Sequence, residues 1–311
     1  MADTLRRDSR DGARDGARDG ARDGARDGAR DGARAGGRES RLRRFARRPL
    51  PAPLAPERLD AFERDGFVVV KGLFAPREVA AAHRAIERLE RAAAALDPAS
   101  SPDGMVTHRG SVFVLAAGTA DAPDERPAIK RVVWAGAADP VLSTLGRSPG
   151  LIALAAQLLG SRRLQQLINQ VHLKRPGDGV DFPWHQDSVH RRYGTDLWTD
   201  LDGRGSFVET VMAVDRMDVS NGGLRVVPGS HHAGHIEHID GVLPAGAVDE
   251  AAAVAVILEP GDVVAFGPFV VHGSDPNTSD RARRTLLNGF ALPGANHRVY
   301  PGKGSGRWIS L

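Results

Sequence analysis

The sequence predicts a mainly β, α+β domain: a double-sheet jelly roll with flanking helices packed on one face. Three observations predict it. Short apolar segments separated by Gly and Pro turns fill the chain beyond Gly160. Helical patterns are confined to the stretch before it, so helices come first and strands after. The N-terminal Asp-Gly-Ala-Arg repeats carry nothing apolar larger than Ala and are expected to stand outside the fold.

From Asp11 to Arg34 the tetrapeptide Asp-Gly-Ala-Arg repeats six times, with nothing apolar larger than Ala. Such a segment cannot bury enough surface to offset its ordering entropy, and a period of four is too short for a solenoid repeat. Residues 1–52 are therefore expected to be a disordered tail and residues 53–311 one domain. After a Pro-rich linker, Glu57–Arg64 reads as a short helix closed by Gly66, and Phe67–Val70 as a buried β-branched strand. Pro76–Leu96 is Ala-rich, with Val79, Ile86 and Leu89 near helical spacing. Ser148-Pro149 opens a third helix with Leu151, Leu154, Ala155 and Leu158 on one face and Gly160 after it. Strands are expected at 165–174, 207–216, 224–228, 254–258, 262–266 and 283–291. The turns between them include Arg175-Pro176-Gly177, Asn221-Gly222-Gly223 and Pro260-Gly261-Asp262.

Composition narrows the function classes. The first 48 residues hold fifteen Arg against eight Asp and one Glu, a net of +6, while the whole chain is +3. The basic balance is thus a property of the tail, and the remainder is near −3. Interleaved Asp, and repeats without aromatics, weaken the reading of a nucleic-acid-binding arm. No apolar run reaches the ~18–20 residues of a membrane span, and the start lacks the apolar core of a secretory signal. Cysteine is absent, so disulfides and thiolate ligands are excluded and a metal must sit on His and carboxylate. A cytoplasmic location is expected.

Two segments carry the chemistry. In Trp184-His185-Gln186-Asp187, residues i and i+2 of an extended strand project to one face, so His185 and Asp187 point together and Gln186 away. His272 follows 85 residues after Asp187, enough chain to wind through several strands and return. Two His and one carboxylate on one face of a metal match the non-haem Fe(II) oxygenases. A catalytic zinc site uses the same donors, and His-X-Asp alone is a weak signal. Arg283 lies eleven positions after His272, and its planar fork suits the distal carboxylate of a chelating cosubstrate. Ser274 is placed to add a hydroxyl bond to that carboxylate. Strand alternation puts Arg281 and Arg283 on the same face, so spacing alone does not choose between them.

Taken together, these segments resemble the phytanoyl-CoA dioxygenase superfamily. The resemblance runs from about Arg58 to Leu292. It rests on Arg64–Phe74, Gln170–Gly177, Trp184–Asp187, Asn221–His231, Pro260–Asp262 and His272–Arg283 in that order. It implies a double-stranded β-helix (cupin-like) core, Fe(II) on His185, Asp187 and His272, and 2-oxoglutarate held by Arg283 rather than Arg281. It also implies a contact between Gln170 and 2-oxoglutarate. The activity it implies is O2-dependent hydroxylation of an unactivated C–H bond in a small molecule, with release of succinate and CO2. The chain departs from the family's Lys-Pro-Pro-Gly at Lys174-Arg175-Pro176-Gly177, a loop position.

Desaturation, epimerisation and ring formation use the same ligands, and the sequence does not separate them from hydroxylation. A catalytically silent jelly roll is the reading from another class; the intact ligand set and Arg283 argue against it. His231, His232, His235 and His238 read as a polar surface loop rather than a second metal site. His172 is expected to be packed or hydrogen-bonded on its strand. Trp184 and Trp198 are expected to pack, and Asp262 to cap a turn. His190, Arg191 and Arg192 follow Asp187 directly, so either a solvated loop or the substrate mouth accounts for them. Arg191, Arg192 and Arg225 are the candidates for an anionic substrate group, and the segment 296–311 for a cover over the opening.

Overall fold

The computed structural model describes residues 53–101, 103–116, 127–239, 242–302 and 306–311. The expected tail, residues 1–52, lies outside the described residues. Four helices precede most of the sheet: α1 (Pro56–Asp65), α2 (Pro76–Ala93), α3 (Pro140–Leu145) and α4 (Pro149–Leu159). Each begins on a proline, whose missing N–H costs nothing in the first turn. At α2 the Glu78 carboxylate accepts from the Ala75 N–H at 2.8 Å. Before α3, Asp139 accepts from the Val141 N–H at 3.1 Å. Gly66 ends α1 at φ 84, where a side chain would also strike the His231 ring 2.5 Å away.

The strands are β1 (Phe67–Val70), β2 (Met105–His108), β3 (Ser111–Ala116), β4 (Ala128–Val133), β5 (Arg163–Lys174), β6 (Phe182–His185), β7 (Phe207–Ala213), β8 (Arg225–Val226), β9 (Val254–Ala255), β10 (Val263–Phe266), β11 (His272–Ser274), β12 (Arg283–Ala291) and β13 (Arg307–Ser310). They form two antiparallel sheets. The larger runs β1-β10-β7-β12-β5-β4-β3-β2 and is open; the smaller runs β6-β11-β8-β9. β5 is long enough to pair with β12 along its length, with β13 over Arg163–Gln166 and with β4 at Val171 and His172.

The large sheet separates two cores. On one face Val171, Leu173, Met212, Val263 and Leu286 pack with Ile86, Leu151 and Leu154 of the helices. On the other, Leu167, Val211, Phe266 and Leu287 pack toward the small sheet. This is the jelly roll expected, with helices on one face. Alternation along β12 makes the division explicit: Arg283, Thr285 and Leu287 look into the space between the sheets, and Leu286 looks at the helices. Beyond Gly289 the register with β5 slips at a bulge.

Several boundaries differ from those expected. The predicted 224–228 and 254–258 strands shrink to two residues each, and 207–216 stops at Ala213. The hairpin β2–β3, strand β4 and helix α3 were not expected. Among the described residues, no helix is long and apolar enough to cross a membrane.

Candidate metal centre and active site

His185 and His272 are direct cross-strand partners in the small sheet, so their side chains leave the same face. Their ring centroids are 4.2 Å apart. β6 stops at His185; Gln186 is still extended, and Asp187 is the first residue of a one-turn helix, α5 (Asp187–Arg191). The extended Gln186 preserves the i, i+2 relationship, so Asp187 joins the two imidazoles, although it does not lie on the strand. One donor atom from each of the three side chains lies within 4.8 Å of the others. Among the described residues this is the one such group of His and carboxylate.

The protonation of the imidazoles follows from their partners. His185 Nδ1 lies 2.7 Å from the Pro183 carbonyl, and His272 Nδ1 lies 2.9 Å from the Val270 carbonyl. A carbonyl only accepts, so both Nδ1 atoms carry hydrogen and both Nε2 lone pairs are left for a metal. Burial, with the neighbouring His272, pushes His185 down to about 3, which keeps it neutral. Asp187 is buried; burial opposes its ionisation, but His272, His185 and Arg191 hold it below the usual carboxylate range. Its Oδ2 has no hydrogen-bond partner. A buried orphan carboxylate oxygen between two imidazole lone pairs is the donor set of a divalent-ion site.

Gln186 faces away from this centre and fixes the chain around it. Its Nε2 donates to the Phe269 and Gly234 carbonyls, and its Oε1 accepts from the Ile236 N–H at 2.7 Å. The four His of the 231–238 segment bond protein groups instead of a second metal: three bond backbone atoms and His235 a side-chain hydroxyl. His231 and His232 bond the carbonyls of Glu63 and Arg64, His235 bonds Ser188 and His238 bonds the Gln186 N–H.

The three side chains line a cavity of about 280 Å³ between the sheets. Arg283 enters the same cavity and is only 4 % exposed. Nη1 donates to Thr285 Oγ1 at 3.2 Å, Nη2 donates to the Gly222 carbonyl at 3.1 Å, and Nε has no partner. Burial lowers its pKa to about 10, and no carboxylate among the described residues lies within ion-pair distance of it. Arg281 is half exposed and pairs with Asp218 at 3.1 Å. Gln170 and Ser274 also line the cavity; Ser274 Oγ accepts from Lys174 Nζ, a buried amine, at 2.7 Å.

Of the three arginines considered for substrate, only Arg191 reaches the cavity. Arg225 stacks on Trp184 and faces Asp275 at 3.4 Å, and Arg192 is exposed at a left-handed turn. Trp198 is packed on Phe207, and Asp262 accepts from the Gly72 and Glu259 N–H groups. His172 stacks on Phe182 with centroids 4.7 Å apart. From the C-terminal segment, Arg298, Tyr300 and Pro301 line the cavity. Glu209, Arg131 and Tyr300 are cavity residues that the sequence reading missed. The signal for Glu209 was present: it is the one charge in the otherwise apolar or Thr-containing run Phe207–Ala213.

Comparison with known proteins places this geometry. EctD from S. alaskensis with bound Fe superposes with a TM-score of 0.60 at 24 % identity, over 81 % of each chain. AviO1 from Streptomyces viridochromogenes Tue57 gives 0.54 at 25 % identity, over 79 % of this chain and 97 % of that one. The L-proline trans-4-hydroxylase of Streptomyces griseoviridis is 33 % identical over 174 residues, 48 % of this chain and 62 % of that protein. The ectoine dioxygenase of Bordetella bronchiseptica is 29 % identical over 182 residues, 57 % of this chain and 50 % of that protein. The matched stretch thus spans about half to three fifths of these curated relatives. Residues 62–285 match the family model described as phytanoyl-CoA dioxygenase (PhyH), and the chain belongs to that family.

Proposed function

We propose that this protein is an Fe(II)- and 2-oxoglutarate-dependent dioxygenase that hydroxylates an unactivated C–H bond of a small organic molecule. The observation that carries the reading is one cavity holding two incomplete sites. His185, Asp187 and His272 present unpartnered donors for a metal, and Arg283 presents a buried guanidinium with no anion among the described residues. A dicarboxylate that chelates the metal at one end and reaches Arg283 at the other completes both.

His185, Asp187 and His272 would hold Fe(II) on one face, leaving the remaining positions open to cosubstrate and O2. When bound, Fe(II) with 2-oxoglutarate and O2 supplies the oxidising power, and 2-oxoglutarate leaves as succinate and CO2. Arg283 binds the distal carboxylate through its planar fork, with Thr285 and the Gly222 carbonyl fixing the fork's orientation. Gln170 and Ser274 are the further polar contacts for the cosubstrate; the Ser274 oxygen is held by Lys174, which leaves its hydroxyl hydrogen to donate. Leu167, Val211, Phe266 and Leu287 exclude water from the reacting centre. Relatives named for acting on proline and ectoine support a small-molecule substrate. The domain is assigned to residues 53–311, with residues 1–52 as an appendage.

Anaerobic titration of the protein with Fe(II) and then 2-oxoglutarate tests the reading. A weak visible charge-transfer band is expected only when both are present. Its absence sinks the oxygenase assignment in favour of a silent jelly roll.

A further inference from the structure

Of the ionisable side chains lining the cavity outside the iron and 2-oxoglutarate sites, Glu209, Arg191, Arg131 and Arg298 among them, Glu209 and Arg191 stand out. Glu209 projects from β7 into the cavity, is 3 % exposed, and neither carboxylate oxygen has a hydrogen-bond partner among the described residues. Arg191 is 5 % exposed, lines the same cavity, and its Nε and Nη1 have no partner among the described residues. A buried carboxylate and a buried guanidinium each left unsatisfied are costly unless a ligand satisfies them.

The backbone explains why they sit side by side without pairing. Phe207 and Glu209 are i and i+2 on β7 and share its inner face, about 6–7 Å apart along the strand. The Arg191 guanidinium carbon lies 4.7 Å from the Phe207 ring centroid and 5.0 Å from that of Tyr300. This aromatic clamp holds it one strand position from Glu209, and the two make no ion pair within 4.0 Å. Arg191 is also i+4 from Asp187 on α5, so the clamped guanidinium and the candidate metal ligand occupy one helix face. The opposite charges therefore flank a space beside the metal centre, with Arg283 serving a different anion elsewhere in the cavity. Burial and the Asp187 charge push the Glu209 carboxyl well above its usual range while it is alone. A cationic partner reverses that.

We propose that Glu209 and Arg191 recognise the substrate, and that the molecule oxidised is a small zwitterion. Its cationic nitrogen pairs with Glu209 and its anionic group with Arg191. The assignment rests on the oxygenase reading above. It deepens that reading by fixing the charge pattern of the substrate. A cavity of about 280 Å³ that also holds the cosubstrate restricts the molecule to a few functional groups. Two fixed charges orient it, so that one C–H bond faces the metal.

The test is equilibrium dialysis of the full chain, loaded anaerobically with Fe(II) and 2-oxoglutarate, against a charge-matched panel read by mass spectrometry. The panel holds free amino and imino acids, cyclic amidine acids and betaines as zwitterions. Against them stand the corresponding N-acetyl acids as anions, amides as cations and N-acetyl amides as neutral forms. The retained compounds are expected to be zwitterions. Glu209→Gln and Arg191→Met should each weaken that retention about tenfold or more, and Glu209→Asp should recover part of it. Retention of neutral or anionic forms alone, zwitterion retention unchanged in Glu209→Gln, or no zwitterion retained overturns the proposal. The iron–2-oxoglutarate band read on the same samples separates the two claims. A wild type without the band overturns the oxygenase reading. A wild type with the band that retains the wrong charge class overturns only the assignment to Glu209 and Arg191.

Discussion

Arg283 and Arg284 are neighbours on β12 that serve opposite faces of the large sheet. Arg283 turns into the cavity, 4 % exposed and without an anion among the described residues. Arg284 turns to the helical face, where it meets Asp215 at 3.0 Å and Glu90 of α2 at 3.3 Å. The pleat alone separates a ligand-facing charge from a structural one.

Arg283 variants should act on cosubstrate affinity. Arg283→Lys keeps the charge and loses the fork, so the KM for 2-oxoglutarate should rise about tenfold while the melting temperature stays within a degree or two. Arg283→Ala should do worse. Arg281→Ala removes only a half-exposed pair with Asp218 and should leave that KM within about twofold. Steady-state kinetics in 2-oxoglutarate check this, and a larger effect at Arg281 would move the cosubstrate site by one strand repeat.

Arg284→Met should show the reverse pattern. It leaves the Asp215 and Glu90 carboxylates, 20 % and 13 % exposed, without their cation. The expected cost is about 1–3 kcal/mol after discounting for solvent screening, a fall of several degrees in the melting temperature. The KM for 2-oxoglutarate should not change. A melting curve equal to that of the wild type would show that α2 is held to β12 by packing alone.

How much of this was legible in the sequence depended on whether a local signal existed. β1, β5, β10 and β12 stand within two residues of their expected ends because apolar runs there are bounded by Gly and Pro turns. The β2–β3 hairpin was hidden because its turn places Arg109 and Gly110 at φ 49 and 81. That is the geometry of a tight hairpin, but with Arg where Asn or Asp would have announced it. β6 contains Pro183, which the sheet tolerates only because β6 is an edge strand. His185, Asp187, His272 and Arg283 were legible as a group through their spacing, and the structure brings all four to one cavity. Glu209 was overlooked because its neighbours on β7 are core residues and its significance lies in what it fails to contact. Arg191 gave no local sign of burial, since the Phe207 and Tyr300 rings that clamp it come from distant segments.

The Asp-Gly-Ala-Arg segment should be dispensable for chemistry. It carries nothing apolar larger than Ala, and the family match begins at residue 62. A chain lacking residues 1–48 should form the iron–2-oxoglutarate band and turn over within about twofold of the full chain. A loss beyond tenfold, measured as succinate released, would show that the tail orders part of the site.

The metal assignment makes the sharpest demand on the site. With both Nδ1 atoms donating to their own backbone carbonyls, each imidazole offers only Nε2, so removing one residue removes one ligand outright. His185→Ala, His272→Ala and Asp187→Ala should each abolish the band and turnover while the circular dichroism spectrum persists, since the two cores hold their packing elsewhere. Chelator treatment of the wild type should do the same reversibly. Zn(II) uses the same donors and should bind the treated protein. It cannot change oxidation state, so it should compete with Fe(II) and restore no succinate release. Succinate release restored by Zn(II) would overturn the assignment of a redox-active iron to this site. Restoration by Fe(II) alone, lost again in Asp187→Ala, is the expected result.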